Sequence, residues 1–571
     1  MNTNETLLTP GLVNSGTFGL LFELPTDDLV YAQPLYLAGV SIPGRGVHNV
    51  VYAVSEGDTI YAYDADSNTG TTAEPLWTVH LTDAADHTSA VPIYDYNTSD
   101  GALSQLGITG TPVIDPATGT LYVVAHVKDT SGTKPTYYHL LCALDVATGA
   151  QKFGGPVMIT ASVVGAGSNS IGGVVEFSDF DHQQRSGLLL LNGVVYIAFA
   201  SVGDRGPYHG WLLGYDAKTL RQVSVFNDTP YGIQGGIWMA GAGPAADSNG
   251  SIYLMTGNGT FDGQTNFGDS VVKLVRTNGI TGTGLGLKVQ DYFTPEDQAI
   301  LAGGDGDLGA GGPIILPDEA GNAEHPHLLI GAGKDGILSL IDRDNMGHYS
   351  PASDNQIVQT VPLQISNFTD PLYFDHRLYV NPIASPLYCY SLTNASLSTS
   401  PIFRSGDSLG SPGGSPILSA NGLENPIVWV IQATGFYAYS SSILRAYDAN
   451  DISHELYNNT QAGERDLTGI AMKFSTPIVS NGKVYVGTGS GVAVFGVFPP
   501  PTISFSPQHE IIVQGKSGVA CTVQGSSNLE ASGDGWQTIT IVTMDGSPQV
   551  ISDPEGETSH QRFYRAVLGT P

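Results

Sequence analysis

The chain of 571 residues is short of cysteine, of charge and above all of basic residues, and each shortage excludes a class of protein. Its three cysteines, Cys142, Cys389 and Cys521, are isolated and far apart. They can build no disulfide framework, no zinc motif and no CxxCH haem attachment. Cys142 and Cys389 lie in strand-like runs, LLCALD and LYCYSL, and read as small buried hydrophobes. Only 13 % of residues are charged, and 22 basic against 53 acidic residues give a net charge of −31. A surface this acidic repels phosphate backbones and anionic headgroups, so no nucleic-acid or membrane-surface partner is expected. No run of about 18 apolar residues is present, so no membrane span is expected either. The first residues, Met1-Asn2-Thr3-Asn4, carry neither the basic region nor the apolar core of a signal peptide. Also missing are the GxxxxGK[ST] phosphate loop, the GxSxG nucleophile elbow and the HExxH zinc motif.

What the chain does hold is a recurring phrase: an apolar strand, a turn with Gly or Asn-Gly, a second strand, then aspartate. It reads VVYAVSEGDTIYAYDAD from Val50 and LYVVAHVKD…HLLCALDVATG from Leu121. It returns as VVYIAFASVGD…GWLLGYDAKTL from Val194 and as LLIGAGKDGILSLIDRDNMG from Leu328. With 72 glycines and 41 % apolar residues, the composition suits many tight turns between buried strands and opposes both long helices and disorder. Four short strands repeating every roughly 40 to 60 residues indicate a propeller, because one such sheet cannot bury both faces alone. Eight units are counted, over 31–80, 109–153, 186–226, 237–280, 309–347, 358–392, 411–450 and 470–498, the sixth being the faintest. FGLLFELP (Phe18 to Pro25) is a spare strand ahead of unit one, and the last unit is one strand short. A spare strand at one end and a short blade at the other close a ring and remove open edges.

The repeat stops at Phe498-Pro499-Pro500-Pro501, a stiff linker, and residues 499–571 alternate like a small β-sandwich. Trp536 and Arg562-Phe563-Tyr564-Arg565 are read as its core and rim. The expected architecture is therefore all-β: an eight-bladed propeller over 1–498, then a linker and sandwich over 499–571. For the sandwich the plain reading is an end-cap, with glycan binding or anchoring as the functional one.

The blade phrase resembles the quinoprotein (PQQ-type) propeller repeat, in which each blade ends near A-x-D-x-x-T-G followed by an aromatic. Here Ala143-Leu144-Asp145-Val146-Ala147-Thr148-Gly149 precedes Phe153, and Tyr215-Asp216-Ala217-Lys218-Thr219 ends the third unit. The aspartate starts the turn by accepting from backbone amides, and the aromatic packs between blades. Three further segments resemble quinoprotein alcohol dehydrogenases. Gly235-Gly236-Ile237-Trp238 leads to Thr256-Gly257-Asn258-Gly259 and then Gly268-Asp269-Ser270. Gly331-Ala332-Gly333-Lys334-Asp335-Gly336 matches a turn whose basic residue binds the quinone there. Ser201-Val202-Gly203-Asp204-Arg205-Gly206 lies near where those enzymes place a calcium-binding glutamate.

The resemblance implies oxidation of an alcohol or sugar with PQQ and calcium. In it Trp238 is the aromatic floor, and Asp204, Asn258 and Asp269 supply oxygens to calcium. Lys334 faces the quinone, and Asp269 takes the alcohol proton. Without a haem motif, electrons would pass to a separate acceptor. The compartment implied is the periplasm or cell exterior, the signal peptide being absent from this chain. The vicinal cysteine pair of those enzymes is missing, and Asp204-Arg205 stands where their glutamate is expected.

Each residue has a plainer reading: blade packing for Trp238, Asx turns for Asn258 and Asp269, and a charged β-turn for Lys334-Asp335-Gly336. His325-Pro326-His327 has metal-like spacing but sits in a polar loop. Two other functions stay open. One is a non-catalytic propeller that binds a protein or glycan. The other is a polysaccharide lyase or hydrolase using His209, on the Asp204 loop, as general base.

Overall fold

Val50 to Val54 and the strand Thr59–Asp64 are buried along their whole length rather than on alternate residues. That is what β-branched and aromatic runs achieve when a sheet is covered on both faces. The computed structural model, which describes residues 1–508, 510–529, 535–556 and 559–569, shows what covers them. Among the described residues up to Val497 the strands fall into eight antiparallel meanders in chain order, with extra strands on the second and sixth. The third and fourth are joined edge to edge where Gln222–Asn227 pairs with Gly284–Thr294. The first is Leu35–Ile42, Gly46–Val54, Thr59–Asp64 and Trp77–His80. The sixth is a sheet like the others, and its faintness in sequence follows from its short strands, beginning with Leu372–Phe374 and Arg377–Val380.

Neighbouring sheets share one apolar cluster per interface. Val50, Val123 and Cys142 join the first two sheets, and Trp429, Val484 and Phe495 join the last two. Further clusters fill the five interfaces between. Tyr485, Val492, Val51 and Tyr63 then join the eighth sheet to the first. Eight clusters for eight interfaces leave a closed ring. The eighth sheet comprises Ile478–Ser480, Lys483–Thr488 and Gly491–Val497, and its fourth strand is Phe18–Pro25, running from Phe18 opposite Val497 to Pro25 opposite Gly491.

The blade-ending aspartates start turns as read: Asp145 Oδ1 accepts from the Ala147 amide at 3.1 Å, and Asp216 Oδ1 from the Thr219 amide at 2.9 Å. A tyrosine in the second strand of the preceding blade donates to the carbonyl just after that aspartate. Tyr52 reaches Val146 O at 2.9 Å, Tyr122 reaches Ala217 O at 2.7 Å, and Tyr485 reaches Ala65 O at 3.2 Å. The repeated Val-Tyr and Leu-Tyr pairs are thus inter-blade fasteners.

Beyond the prolines, two three-stranded antiparallel sheets pack around Ile511, Val513, Cys521, Val523 and Met544. Trp536 is half-buried beneath Arg565, 4.5 Å from its ring, rather than in this core. Lys516 Nζ donates to Leu21 O at 2.8 Å, tying the second sheet pair to the closing strand of the ring. Cys142, Cys389 and Cys521 are free and buried. No helix among the described residues is long and apolar enough to cross a membrane.

Candidate functional site

In an antiparallel meander the loop entering the first strand and the loop joining the second and third strands emerge at the same end. A cavity of about 270 Å³ opens at that end. Asp100, Arg185, Trp238, Asp307, Phe368 and Lys473 reach it from loops entering the second, third, fourth, fifth, sixth and eighth sheets. Asp204 and Lys334 join them from second-to-third-strand loops of the third and fifth. Loops from so many blades meet only on the ring axis.

Glycine makes the floor possible. A Cβ at Gly236 would lie 2.9 Å from Trp238 Nε1, and one at Gly257 would lie 2.3 Å from Asp307 Oδ1. The Gly235 amide donates to Asn258 O at 2.7 Å and Gly257 to Gly236 O at 2.9 Å, so these loops are knitted together. Trp238 is only 7 % exposed, and its Nε1 is buried without a hydrogen-bond partner. Arg185 stands over its ring at 5.5 Å and over Phe474 at 5.3 Å, and no carboxylate among the described residues pairs with it.

Lys334 Nζ is held between Asp305 Oδ1 at 2.7 Å and Asp307 Oδ2 at 2.6 Å. Burial would lower the ammonium pKa, but the two carboxylates prevail and raise it. Burial raises the Asp307 pKa, with Lys334 and the Asn258 amide, at 2.8 Å from Oδ1, opposing. Asn258 also donates from Nδ2 to Asp305 at 3.3 Å, while its Oδ1 is buried and unpartnered. Asp204 has a left-handed backbone (φ 56°), accepts from the Tyr208 hydroxyl at 3.1 Å and opens on the cavity.

Asp269 sits elsewhere. Its carboxyl is fully buried behind the 307–308 segment, accepts from the Leu308 amide at 3.2 Å, and does not line the cavity. Burial pushes its pKa up to about 8, so near neutral pH it is mostly protonated. Trp238, Lys334 and Asp204 are therefore brought to one cavity, Asn258 adjoins it through Asp305 and Asp307, and Asp269 is set behind it. His209 is buried and satisfied, with Nδ1 2.9 Å from Thr229 Oγ1 and Nε2 2.9 Å from Ser168 O, and it too does not line the cavity. Burial lowers its pKa. His325 and His327 pair with Asp342 and Asp344 at 2.9 and 2.7 Å. Among the described residues no three or more His, Cys, Asp or Glu side chains group closely enough to hold a metal ion.

Four charged cavity residues escaped the sequence reading: Asp307, Arg185, Lys473 and Asp100. Asp307 carried only a weak signal, since Gly306-Asp307 is one of several Gly-Asp pairs and follows directly on Gly304-Asp305. The others sit in loops outside the repeat phrase.

No protein-family model and no curated protein sequence matches this chain. Solved structures do. The quinohemoprotein alcohol dehydrogenase of Comamonas testosteroni is similar over 87 % of this chain and 78 % of its own, at 14 % identity and a TM-score of 0.52. The quinohemoprotein alcohol dehydrogenase ADHIIG of Pseudomonas putida HK5 covers 89 % and 81 % respectively, at 14 % identity and a TM-score of 0.50. At such identity the likeness establishes the fold, a quinoprotein-like β-propeller.

Proposed function

We propose that the axial cavity binds a planar anionic quinone of the PQQ type and that the protein oxidises an alcohol or sugar there. The observation that carries this reading is the convergence, from separate blades, of the Trp238 face, the Arg185 guanidinium and the Lys334–Asp307 pair on one cavity. A flat molecule bearing several carboxylates needs an aromatic surface and fixed cations, and those residue types are present. Trp238 Nε1, buried without a partner, is a donor awaiting an acceptor. Asp204, which opens on the cavity, and Asn258, whose Oδ1 has no hydrogen-bond partner, would supply oxygens to an accompanying calcium ion.

When bound, such a group would supply the hydride acceptor for the substrate. Asp307 takes the hydroxyl proton. Its carboxyl lines the cavity, and burial brings its pKa closer to the operating range of a general base. Two of the three Lys334 N–H groups are spent on Asp305 and Asp307, leaving one for an oxygen in the cavity. A fixed ammonium there stabilises negative charge as it develops, without reorganising. Arg185 would pair with a carboxylate of the bound group, and electrons would leave to a separate acceptor.

Calorimetric titration of chelator-treated protein with PQQ, with and without calcium, tests binding, and dye reduction over a panel of alcohols and sugars tests turnover. Tight calcium-dependent binding with dye reduction supports the proposal. Absence of binding under both conditions overturns it in favour of a propeller that serves as a scaffold for a protein or glycan. Asp307→Asn should lower turnover by about 10²–10⁴-fold, whereas Asp269→Asn should stay within a few-fold. The reverse ranking would return the base to Asp269.

A further inference from the structure

The same cavity that Lys334 lines holds a second amine that the reaction above does not use. Lys473 Nζ lines the cavity wall and forms an ion pair with Asp100, with the Tyr437 hydroxyl 3.5 Å away. Its side chain is 8 % exposed. Three rings surround the nitrogen: Phe436 at 5.3 Å, Phe474 at 5.6 Å and Tyr437 at 5.7 Å. Arg185 lies against the same Phe474 ring, so two cations share this wall and one carboxylate, Asp100, pairs with the lysine.

We propose that Lys473 is a carbonyl-reactive amine that forms a Schiff base with small aldehydes or keto acids, with Arg185 receiving the ligand's carboxylate. The Asp100 carboxylate takes a proton from the Lys473 ammonium. The freed amine adds to the carbonyl carbon, and a proton passes from its nitrogen to the former carbonyl oxygen, which becomes the hydroxyl of a carbinolamine. Asp100 returns the proton to that hydroxyl, which leaves as water, and a protonated C=N bond remains. No oxidant or reductant is needed.

The surroundings favour the free amine. Burial comes first and the Arg185 charge second in lowering the Lys473 pKa to about 8, against the pull of Asp100. Desolvation and a neighbouring cation are the two means by which a lysine becomes nucleophilic near neutral pH. Lys334, with two carboxylates and a raised pKa, has the opposite environment and should stay inert.

The inference does not rest on the quinone reading, and its test needs no quinone, calcium or dye. The full chain is treated at pH 7 with glyoxylate and cyanoborohydride, and the modified lysines are mapped by mass spectrometry. Carboxymethylation of Lys473 should be at least about ten-fold faster than that of exposed Lys134 and Lys218. Its rate should rise with pH and level off above about 8, while the exposed lysines keep gaining. Acetaldehyde, which lacks the carboxylate, should react about ten-fold more slowly at Lys473, and Arg185→Met should erase that difference. Labelling of Lys473 no faster than of Lys218 overturns the proposal, as does preferential labelling of Lys334. An acetaldehyde rate equal to that of glyoxylate removes Arg185 from it.

Discussion

At the residue scale the lesson of the site is that burial sorts its carboxyls. Asp307 and Asp269 both follow a glycine, and both have raised pKa values. Asp307 faces the cavity with Lys334 beside it, whereas Asp269 has a backbone amide for company and one oxygen without a partner. Sequence cannot separate two Gly-Asp pairs that differ in what lies across from them. Glycine is decisive at Gly235, where φ is +89° and an added Cβ would meet Asp228 Oδ2 at 2.0 Å. Gly235→Ala should therefore cost about 1–3 kcal/mol and disturb Trp238, three residues on. The loss would appear as a lowered urea midpoint with altered tryptophan fluorescence. An unchanged midpoint would mean that the loop relaxes freely.

At the element scale the strand Phe18–Pro25 determines whether the ring is closed. Phe18 is fully buried, with ring centroids 5.0 Å from Tyr457 and 5.6 Å from Trp429, so it packs on the seventh sheet as well as pairing with the eighth. Phe18→Ala should cost about 3–5 kcal/mol by denaturant unfolding, because the ring around it cannot collapse into the space. Removing residues 1–25 should do more. It uncovers the edge of Gly491–Val497, an apolar strand buried along most of its length, and the shortened protein should run as aggregates on size exclusion. A monodisperse shortened protein would show that the seven remaining full blades support the ring without this strand.

At the scale of the whole molecule, buried protons couple folding to pH. Glu56 and Asp269 are fully buried and pushed up to about 8 by burial, so each holds a proton in the folded state that the unfolded chain has released above about pH 4. Stability from these groups therefore falls as pH rises toward 8, by up to about 1.4 kcal/mol per pH unit for each proton. Burial pushes His139 down to about 3 and His182 down to about 4, which acts in the opposite direction, but only below about pH 6.5. Between pH 6.5 and 8 the buried carboxyls dominate, Asp335 and Asp370 at about 7 adding to them. Lys473, lowered to about 8, opposes them only toward the top of the interval, and the net charge of −31 adds repulsion in the same sense as the carboxyls. The melting temperature should fall across that interval, and Glu56→Gln should flatten the fall. A melting temperature that rises from pH 6.5 to 8 would contradict the assignment.

By itself the sequence determined the repeat, the strand-rich architecture and the exchange of a strand between the chain's two ends. These depend on local turn chemistry and on apolar runs, which are legible along the chain. It also singled out Trp238, Asn258 and Lys334, through the resemblance of their glycine-flanked segments to those of quinoprotein alcohol dehydrogenases. Only the tertiary structure decided what faces the axis. Asp307, Arg185, Asp100 and Lys473 lie far apart in sequence, in loops with no repeat to mark them, and ring closure brings them together. Their chemistry depends on which charge lies opposite and how much water remains, and both are properties of the closed ring rather than of any one blade.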